Sequence, residues 1–170
     1  MRVGLISDTH GLLRPEAMHF LRGSDCIIHA GDIGNPAILD QLASIAPVNA
    51  VRGNNDQDAW ASSLEETRLL RLEKVAVYVL HDLAQLDADL HAAGVRVVVA
   101  GHSHRPCVFE REGIVYVNPG SAGPRRFSLP VSAGDLYIDG DKVSARTVQL
   151  DVAIARDTKT IKRAKFRGGQ

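Results

Sequence analysis

The segment RVGLISDTHG, residues 2–11, places an apolar run directly before a cluster of polar side chains. Residues 2–7 have the aliphatic, β-branched composition of a buried strand. Asp8 and His10 follow where that strand should end. In α/β sheets, ligands bind beyond the carboxyl ends of the strands. The segment therefore predicts a strand with functional side chains at its carboxyl end.

The same arrangement recurs four more times along the chain, always with polar residues directly after an apolar run. Any one of these motifs is weak evidence, because Gly, Asn and Asp are also common in turns. All five in chain order favour one shared site, since the ends of neighbouring parallel strands can meet in one crevice. The further clusters are Asp32 after 25–30, Asn54, Asn55 and Asp56 after 48–52, His81 and Asp82 after 75–80, and His102 and His104 after 95–100.

Helical patterns separate the first strands, whereas the second half is rich in strands. The predicted helices cover 14–22, 35–45 and 83–93, and the predicted hairpins cover 67–80, 107–117 and 133–150. Alternating strands and helices followed by further strands indicate an α/β protein. We predict a four-layer α/β/β/α sandwich, in which two mixed β-sheets pack face to face with the helices outside.

The composition indicates a folded, soluble protein. The chain has 170 residues, 45% of them hydrophobic, and equal numbers of basic and acidic residues, 20 of each. This balance argues against disorder and against a general nucleic-acid binder. No apolar run approaches the length of a membrane span, and Cys26 and Cys107 suggest neither a disulfide framework nor a zinc site. We expect a cytoplasmic protein with one domain, residues 1–155.

The zero net charge conceals an asymmetry between this domain and a basic C-terminal tail. Residues 156–170 contain six basic residues and one acidic residue, a net charge of +5. The remaining 155 residues therefore carry −5. A nuclease would need a positive track for its nucleic acid, and only the tail offers one, so nucleic acid is not the expected partner.

The polar clusters combine imidazoles with carboxylates and contain no thiolate. This donor set suits first-row divalent ions such as Mn²⁺, Fe²⁺, Co²⁺, Ni²⁺ or Zn²⁺. It is too large for one tetrahedral ion and of the right size for two ions that share a carboxylate. His19, His29 and His91 lie outside the clusters, and we interpret His29 as a hydrogen-bonded core residue.

In this order, the motifs D-x-H, G-D, G-N-x-D, H and G-H-x-H resemble those of the calcineurin-like metallophosphoesterase superfamily. GHSH (101–104) followed by Arg105-Pro106, together with NPGS (118–121), is similar to its small YfcE-like phosphodiesterase branch. The resemblance covers residues 2 to 138 and implies two divalent metal ions, with Mn²⁺ the first choice. It places one ion on Asp8, His10, Asp32 and His104, and the other on Asp32, Asn54, His81 and His102.

The resemblance further implies hydrolysis of a phosphodiester or phosphoanhydride by in-line attack of a hydroxide that bridges two metals. We assign catalytic roles to Asn55 and Asp56, and substrate binding to Asn55, Arg125 and Arg126. Two positions depart from many relatives. Asn55 stands where they have a histidine that assists the leaving group, and Asp82 stands where they have glycine.

Two alternatives to a phosphodiesterase remain open from the sequence. The superfamily also contains a retromer subunit that serves as a scaffold, and a nuclease would share the chemistry. A scaffold has no need of His10, His102 and His104 together, so their presence favours the enzyme. We expect a small phosphodiester or phosphoanhydride as the partner and no membrane, with a homodimer or larger homo-oligomer left open.

Overall fold

The fold is described from a computed structural model and covers residues 1–126 and 128–152. The predicted basic tail, residues 156–170, lies outside the described residues, and the domain boundary at residue 155 stays a prediction. Among the helices of the described ranges, none has the length and apolar character needed to cross a membrane.

Ten strands form the framework of the part of the chain that the structure describes, and each predicted strand lies within two residues of an observed one. They are β1 (Arg2–Ile6), β2 (Cys26–His29), β3 (Val48–Ala50), β4 (Thr67–Leu72), β5 (Val75–Leu80), β6 (Val95–Val99), β7 (Cys107–Arg111), β8 (Ile114–Asn118), β9 (Ser132–Asp139) and β10 (Lys142–Gln149). Two α-helices, α1 (Pro15–Leu21) and α2 (Pro36–Ala43), follow β1 and β2.

The strands form two mixed five-stranded sheets. The first has the order β10-β9-β1-β2-β3, and the second has the order β4-β5-β6-β8-β7. Within the first sheet, β1, β2 and β3 are parallel, and within the second, β5, β6 and β8 are parallel. The loops after β1, β2, β3, β5 and β6 carry all five polar clusters, so each cluster follows the carboxyl end of a parallel strand.

The sheets pack face to face through an aliphatic core, which confirms the predicted sandwich. Leu5 and Ile28 of the first sheet share this core with Val77, Val97 and Val117 of the second. The outer face of the first sheet is covered by α1 and α2 through a second apolar cluster that includes Leu21 and Leu42.

The predicted helix over 83–93 is wrong. In this segment the structure has one 3₁₀ turn, Leu83–Gln85, and a later turn before β6. Two aspartates explain the difference, because a side chain that bonds nearby backbone amides competes with a continuous helix. Asp82 accepts a hydrogen bond from the Ala84 amide, and Asp89 accepts one from the Ala92 amide. The segment still covers the outer face of the second sheet, through Leu86 and Leu90.

Candidate metal centre

The five loops bring together all seven side chains that the sequence analysis assigned to metal ions. One group is formed by Asp8, His10 and His104. The Asp8 Oδ1 atom lies 3.2 Å from Nε2 of His104 and 3.8 Å from Nε2 of His10. The two Nε2 atoms are 3.3 Å apart, and their rings stack with centroids 5.2 Å apart. Three potential ligand atoms thus face one point.

Asp32 lies between this group and a second group, which contains His81. Its Oδ2 atom is 3.8 Å from Nε2 of His10 and 3.3 Å from Nε2 of His81. Burial raises the pKa of Asp32, but the nearby His81 imidazole and the hydrogen bonds from Asn55 outweigh it, so the pKa is lowered. One ionised carboxylate oxygen is therefore shared between two sets of imidazoles.

The remaining side chains extend the cluster beyond His81. The rings of His81 and His102 meet edge to face with centroids 5.2 Å apart, and Nδ1 of His102 is 3.1 Å from Oδ1 of Asn54. The Ala30 carbonyl lies 2.7 Å from Nδ1 of His81, which leaves Nε2 facing the centre. Burial lowers the pKa of His81, but hydrogen bonds and the charge of Asp32 outweigh it and raise the pKa.

Three buried polar atoms of the cluster lack hydrogen-bond partners within the described residues, namely Oδ1 of Asp8, Nε2 of His81 and Nδ1 of His104. Buried polar atoms are nearly always satisfied, so each such exception needs an explanation. Oδ1 of Asp8 and Nε2 of His81 face other potential ligands at the distances given above, and a divalent cation would satisfy these two atoms. Carboxylate oxygens with imidazole nitrogens are also the donor set that such ions take. The residues present therefore fit the metal ions that the sequence analysis predicted.

The backbone is strained at five of the seven positions. Asp8, His10, Asp32, His102 and His104 all have positive φ angles, between 45° and 65°. Such conformations are costly for residues other than glycine and persist where surrounding contacts enforce them, often at functional sites. Loop-to-loop hydrogen bonds supply part of this enforcement, from the Asp8 amide to the Gly31 carbonyl and from the His10 amide to the Asp32 carbonyl.

Buried polar residues that sequence reasoning missed hold the cluster in place. Ser7 is fully buried, and its hydroxyl donates to Oδ2 of Asp8 at 2.7 Å. The His102 amide donates to the same oxygen at 3.1 Å, so only Oδ1 of Asp8 is left for the centre. Asn118 donates to the Gly101 carbonyl and so anchors the GHSH loop. The sequence did not indicate a role for Ser7, because serine is common at strand ends. Asn118 was noted only as part of the motif NPGS.

Asn55 and Asp56, to which we assigned catalytic roles, contact the cluster in different ways. The Asn55 side chain donates to Oδ2 of Asp32 at 2.6 Å, and the backbone amide of Asn55 donates to Oδ1 of Asp32. The Asp56 carboxylate is buried and accepts from the amides of Ile33, Gly34 and Gly53. These contacts are those of residues that position loops and ligands, and the catalytic roles stay predictions.

The two arginines predicted to bind substrate differ in position. Arg126 donates to Nε2 of His10 at 3.2 Å, which places its guanidinium at the rim of the cluster. Arg125 is exposed. Asp82, whose role the sequence left open, has its Oδ2 atom 3.9 Å from Nε2 of His102.

His29 is a core residue, as its sequence context indicated. It is fully buried, and burial lowers its pKa to about 4, so the ring is neutral at neutral pH. Its Nδ1 atom accepts from the Gly31 amide, and Nε2 is 3.0 Å from the Thr9 hydroxyl. Because the Thr9 hydroxyl donates to the Ile33 carbonyl, this chain of hydrogen bonds ties the first two loops together.

Comparison with known proteins places this fold and centre in one family. Residues 1–141 match the calcineurin-like phosphoesterase superfamily domain. The chain therefore belongs to the calcineurin-like phosphoesterase superfamily, which confirms the resemblance seen in the motifs. A probable metallophosphoesterase of Methanothermobacter thermautotrophicus is 35% identical, over 92% of this chain and 96% of the relative.

Two solved structures show the range of proteins that share the fold. YfcE, a phosphoesterase from E. coli, is 26% identical and superposes with a TM-score of 0.64, covering 85% of this chain and 91% of YfcE. Vps29 from Entamoeba histolytica, complexed with Zn²⁺, is 19% identical with a TM-score of 0.70, covering 88% of this chain and 99% of Vps29. At that identity, the second similarity shows the fold alone.

Proposed function

We propose that this protein is a phosphodiesterase that uses two divalent metal ions. The observation that carries the proposal is the position of Asp32, whose Oδ2 atom lies within 4 Å of imidazole nitrogens from both groups. Asp8, His10 and His104 would complete one site with Asp32, whereas Asn54, His81 and His102 would complete the other. Mn²⁺ is the first candidate, with Ni²⁺, Fe²⁺, Co²⁺ and Zn²⁺ as alternatives.

When bound, the ions supply a water of lowered pKa and neutralise charge on the phosphoryl oxygens. The residues of the chain supply positioning. Ser7 and the His102 amide fix Asp8 so that only Oδ1 faces the centre. Asn55 holds both oxygens of Asp32, and Arg126 places a cation at the rim, where it can meet a substrate phosphate. Phosphoryl transfer depends mainly on such positioning and charge stabilisation.

The test of this proposal is hydrolysis of bis(p-nitrophenyl) phosphate by the metal-stripped protein, with Mn²⁺, Ni²⁺, Zn²⁺ or Mg²⁺ then added singly. We expect turnover only after metal addition, with two ions bound per chain by elemental analysis. Metal binding without turnover of any phosphodiester would contradict it.

That result would favour the second candidate, a scaffold, which the sequence analysis left open. Because the Vps29 structure contains Zn²⁺, metal binding alone does not separate an enzyme from a scaffold. Turnover does. A scaffold also needs a partner surface, whereas a phosphodiesterase needs only its small substrate.

Replacing Arg126 by alanine is expected to raise KM for the diester about tenfold, with a smaller change in kcat. Its guanidinium lies at the rim of the centre, and a charge-assisted contact to phosphate contributes about 1.5–3 kcal/mol. The matched control is Arg125→Ala, because Arg125 carries the same charge but, within the described residues, has no hydrogen bond to the cluster. Steady-state kinetics of both variants measure the effect. A KM unchanged from wild type in Arg126→Ala would remove Arg126 from substrate binding.

The absence of an acidic side chain at position 55 predicts a preference for good leaving groups. The Asn55 amide is no practical general acid, and its Nδ2 already donates to Asp32. We expect kcat/KM for an aryl phosphodiester to exceed that for a dialkyl phosphodiester by at least about 10³-fold, since general acid catalysis contributes about 10²–10⁴-fold where it operates. Comparable values for the two esters would show that another group protonates the leaving oxygen.

A further inference from the structure

An apolar pocket lies beside the candidate metal centre, on the outer face of the second sheet. Its wall includes Leu83, Val98, Phe109 and Tyr116, and its volume is about 160 Å³. His102 also lines the pocket, and this residue belongs to the centre as well. The pocket and the centre are therefore neighbouring compartments that share one wall.

The size and shape of the pocket suit one aromatic ring. An apolar cavity of about 150 Å³ holds a single benzene molecule. The rings of Phe109 and Tyr116 are parallel within 1° and their centroids are 4.9 Å apart. A further ring packed against either of them gains stacking in addition to the burial of apolar area.

The polar groups that line the pocket are already engaged. The Asn118 side chain donates to the Gly101 carbonyl at 2.6 Å and to the Ser103 hydroxyl at 3.0 Å, and its oxygen accepts from the Gly120 amide. Oδ1 of Asp82 accepts from the Ala84 amide. A ligand group that entered would find few free hydrogen-bonding partners here, so a flat apolar group fits better than a sugar.

The shared wall indicates how such a group would be attached. The amide of His102 donates to Asp8, and Nδ1 of His102 is 3.1 Å from Oδ1 of Asn54. A phosphorus atom held at the centre would thus lie one side chain away from the pocket. We propose that the pocket binds a single-ring aromatic substituent of the phosphodiester, an inference that rests on the proposed function.

Binding of two phosphonates to the Mn²⁺-loaded protein tests this proposal without hydrolysis, because their carbon–phosphorus bond is not an ester. We expect phenylphosphonate to bind roughly tenfold more tightly than methylphosphonate, as measured by calorimetry. Burial of about 55 Å² of ring surface at 25 cal/mol per Å² corresponds to that factor. Phe109→Ala should reduce the preference to about threefold or less.

The matched control is Val108→Ala, which should leave the preference unchanged. Val108 is the preceding residue of the same edge strand and is similarly exposed, 40% against 44% for Phe109. Successive strand residues point to opposite faces, so Val108 lies away from the pocket. Equal affinities for the two phosphonates, no binding of either one, or equal losses in both variants would overturn the proposal.

A pair of esters with the same leaving group separates this proposal from the proposed function. The pair is p-nitrophenyl phenyl phosphate and p-nitrophenyl methyl phosphate, and the pocket predicts faster turnover of the first at low substrate concentration. Turnover of both esters at equal kcat/KM, with equal phosphonate affinities, would overturn the pocket and leave the phosphodiesterase intact. Tighter binding of phenylphosphonate with no turnover of either ester would support the pocket and overturn the phosphodiesterase.

Discussion

Replacing Asp32 by asparagine is expected to lower kcat/KM for bis(p-nitrophenyl) phosphate by at least about 10³-fold. Removal of a group that only supports a metal ligand typically costs 10–100-fold, and Asp32 is proposed to be a ligand of both ions. The structure adds a second reason. Both carboxylate oxygens accept hydrogen bonds from Asn55, so the NH₂ group of an asparagine at either place would face another donor.

Elemental analysis provides a readout that does not depend on activity. The Asp32→Asn variant should bind one ion or fewer per chain where the wild type binds two. Asp58→Asn is the matched control, because Asp58 is exposed in the same region of the chain and makes no capping hydrogen bond. Thermal unfolding of both variants excludes general misfolding. An Asp32→Asn variant that keeps two ions and activity within tenfold of wild type would contradict the assignment.

The strands and the convergence of the polar clusters could be predicted because both depend on local patterns. The aliphatic side chains of a run such as 95–99 are removed from water when the run is buried as a strand of a sheet. The polar residue after the run then lies at the carboxyl end of that strand. The family resemblance then supplied the grouping of ligands. The helix over 83–93 was wrong because Leu83, Leu86 and Leu90 have helical spacing, whereas Asp82 and Asp89 each cap the beginning of a separate short turn.

The detailed contacts of the centre could not be predicted, because they depend on how separate loops meet. Asp8 and Asp32 adopt left-handed backbone conformations. The usual sequence sign of such a conformation is a glycine, and these two positions have aspartate instead. In the motif GNND, Asn54 turns towards His102 and Asn55 towards Asp32. Adjacent residues of similar chemistry thus have different partners, and only the arrangement of four loops decides which residue meets which.

For Asp56, the sequence predicts a role in catalysis, whereas the contacts in the structure are those of a residue that joins loops. The motif suggested a catalytic carboxylate, but its oxygens accept three backbone hydrogen bonds, from Ile33 at 3.1 Å, Gly34 at 2.8 Å and Gly53 at 2.9 Å. The first two donors follow Asp32, and the third precedes Asn54. One buried carboxylate therefore joins two loops that each carry residues of the centre.

Replacing Asp56 by alanine is expected to lower the free energy of unfolding by about 3–4 kcal/mol. Each hydrogen bond to a charged group contributes about 1.5–3 kcal/mol, but removing the carboxylate also removes the cost of burying its charge, which offsets part of the loss of the three. For a chain of this length, the midpoint of thermal unfolding should fall by about 10 °C. Urea denaturation gives the free energy directly, and Asp40→Ala, at an exposed position in α2, serves as the control.

The two roles of Asp56 predict opposite patterns. If the carboxylate only joins the loops, Asp56→Ala loses stability and metal affinity together, and saturating metal restores much of kcat well below the unfolding temperature. If the carboxylate acts in the reaction, kcat stays low at saturating metal. A variant of unchanged stability would contradict the positioning role outright. Because ions bind the folded state, metal should raise the unfolding midpoint of the wild type and the variant alike, so the comparison must be made at equal metal saturation.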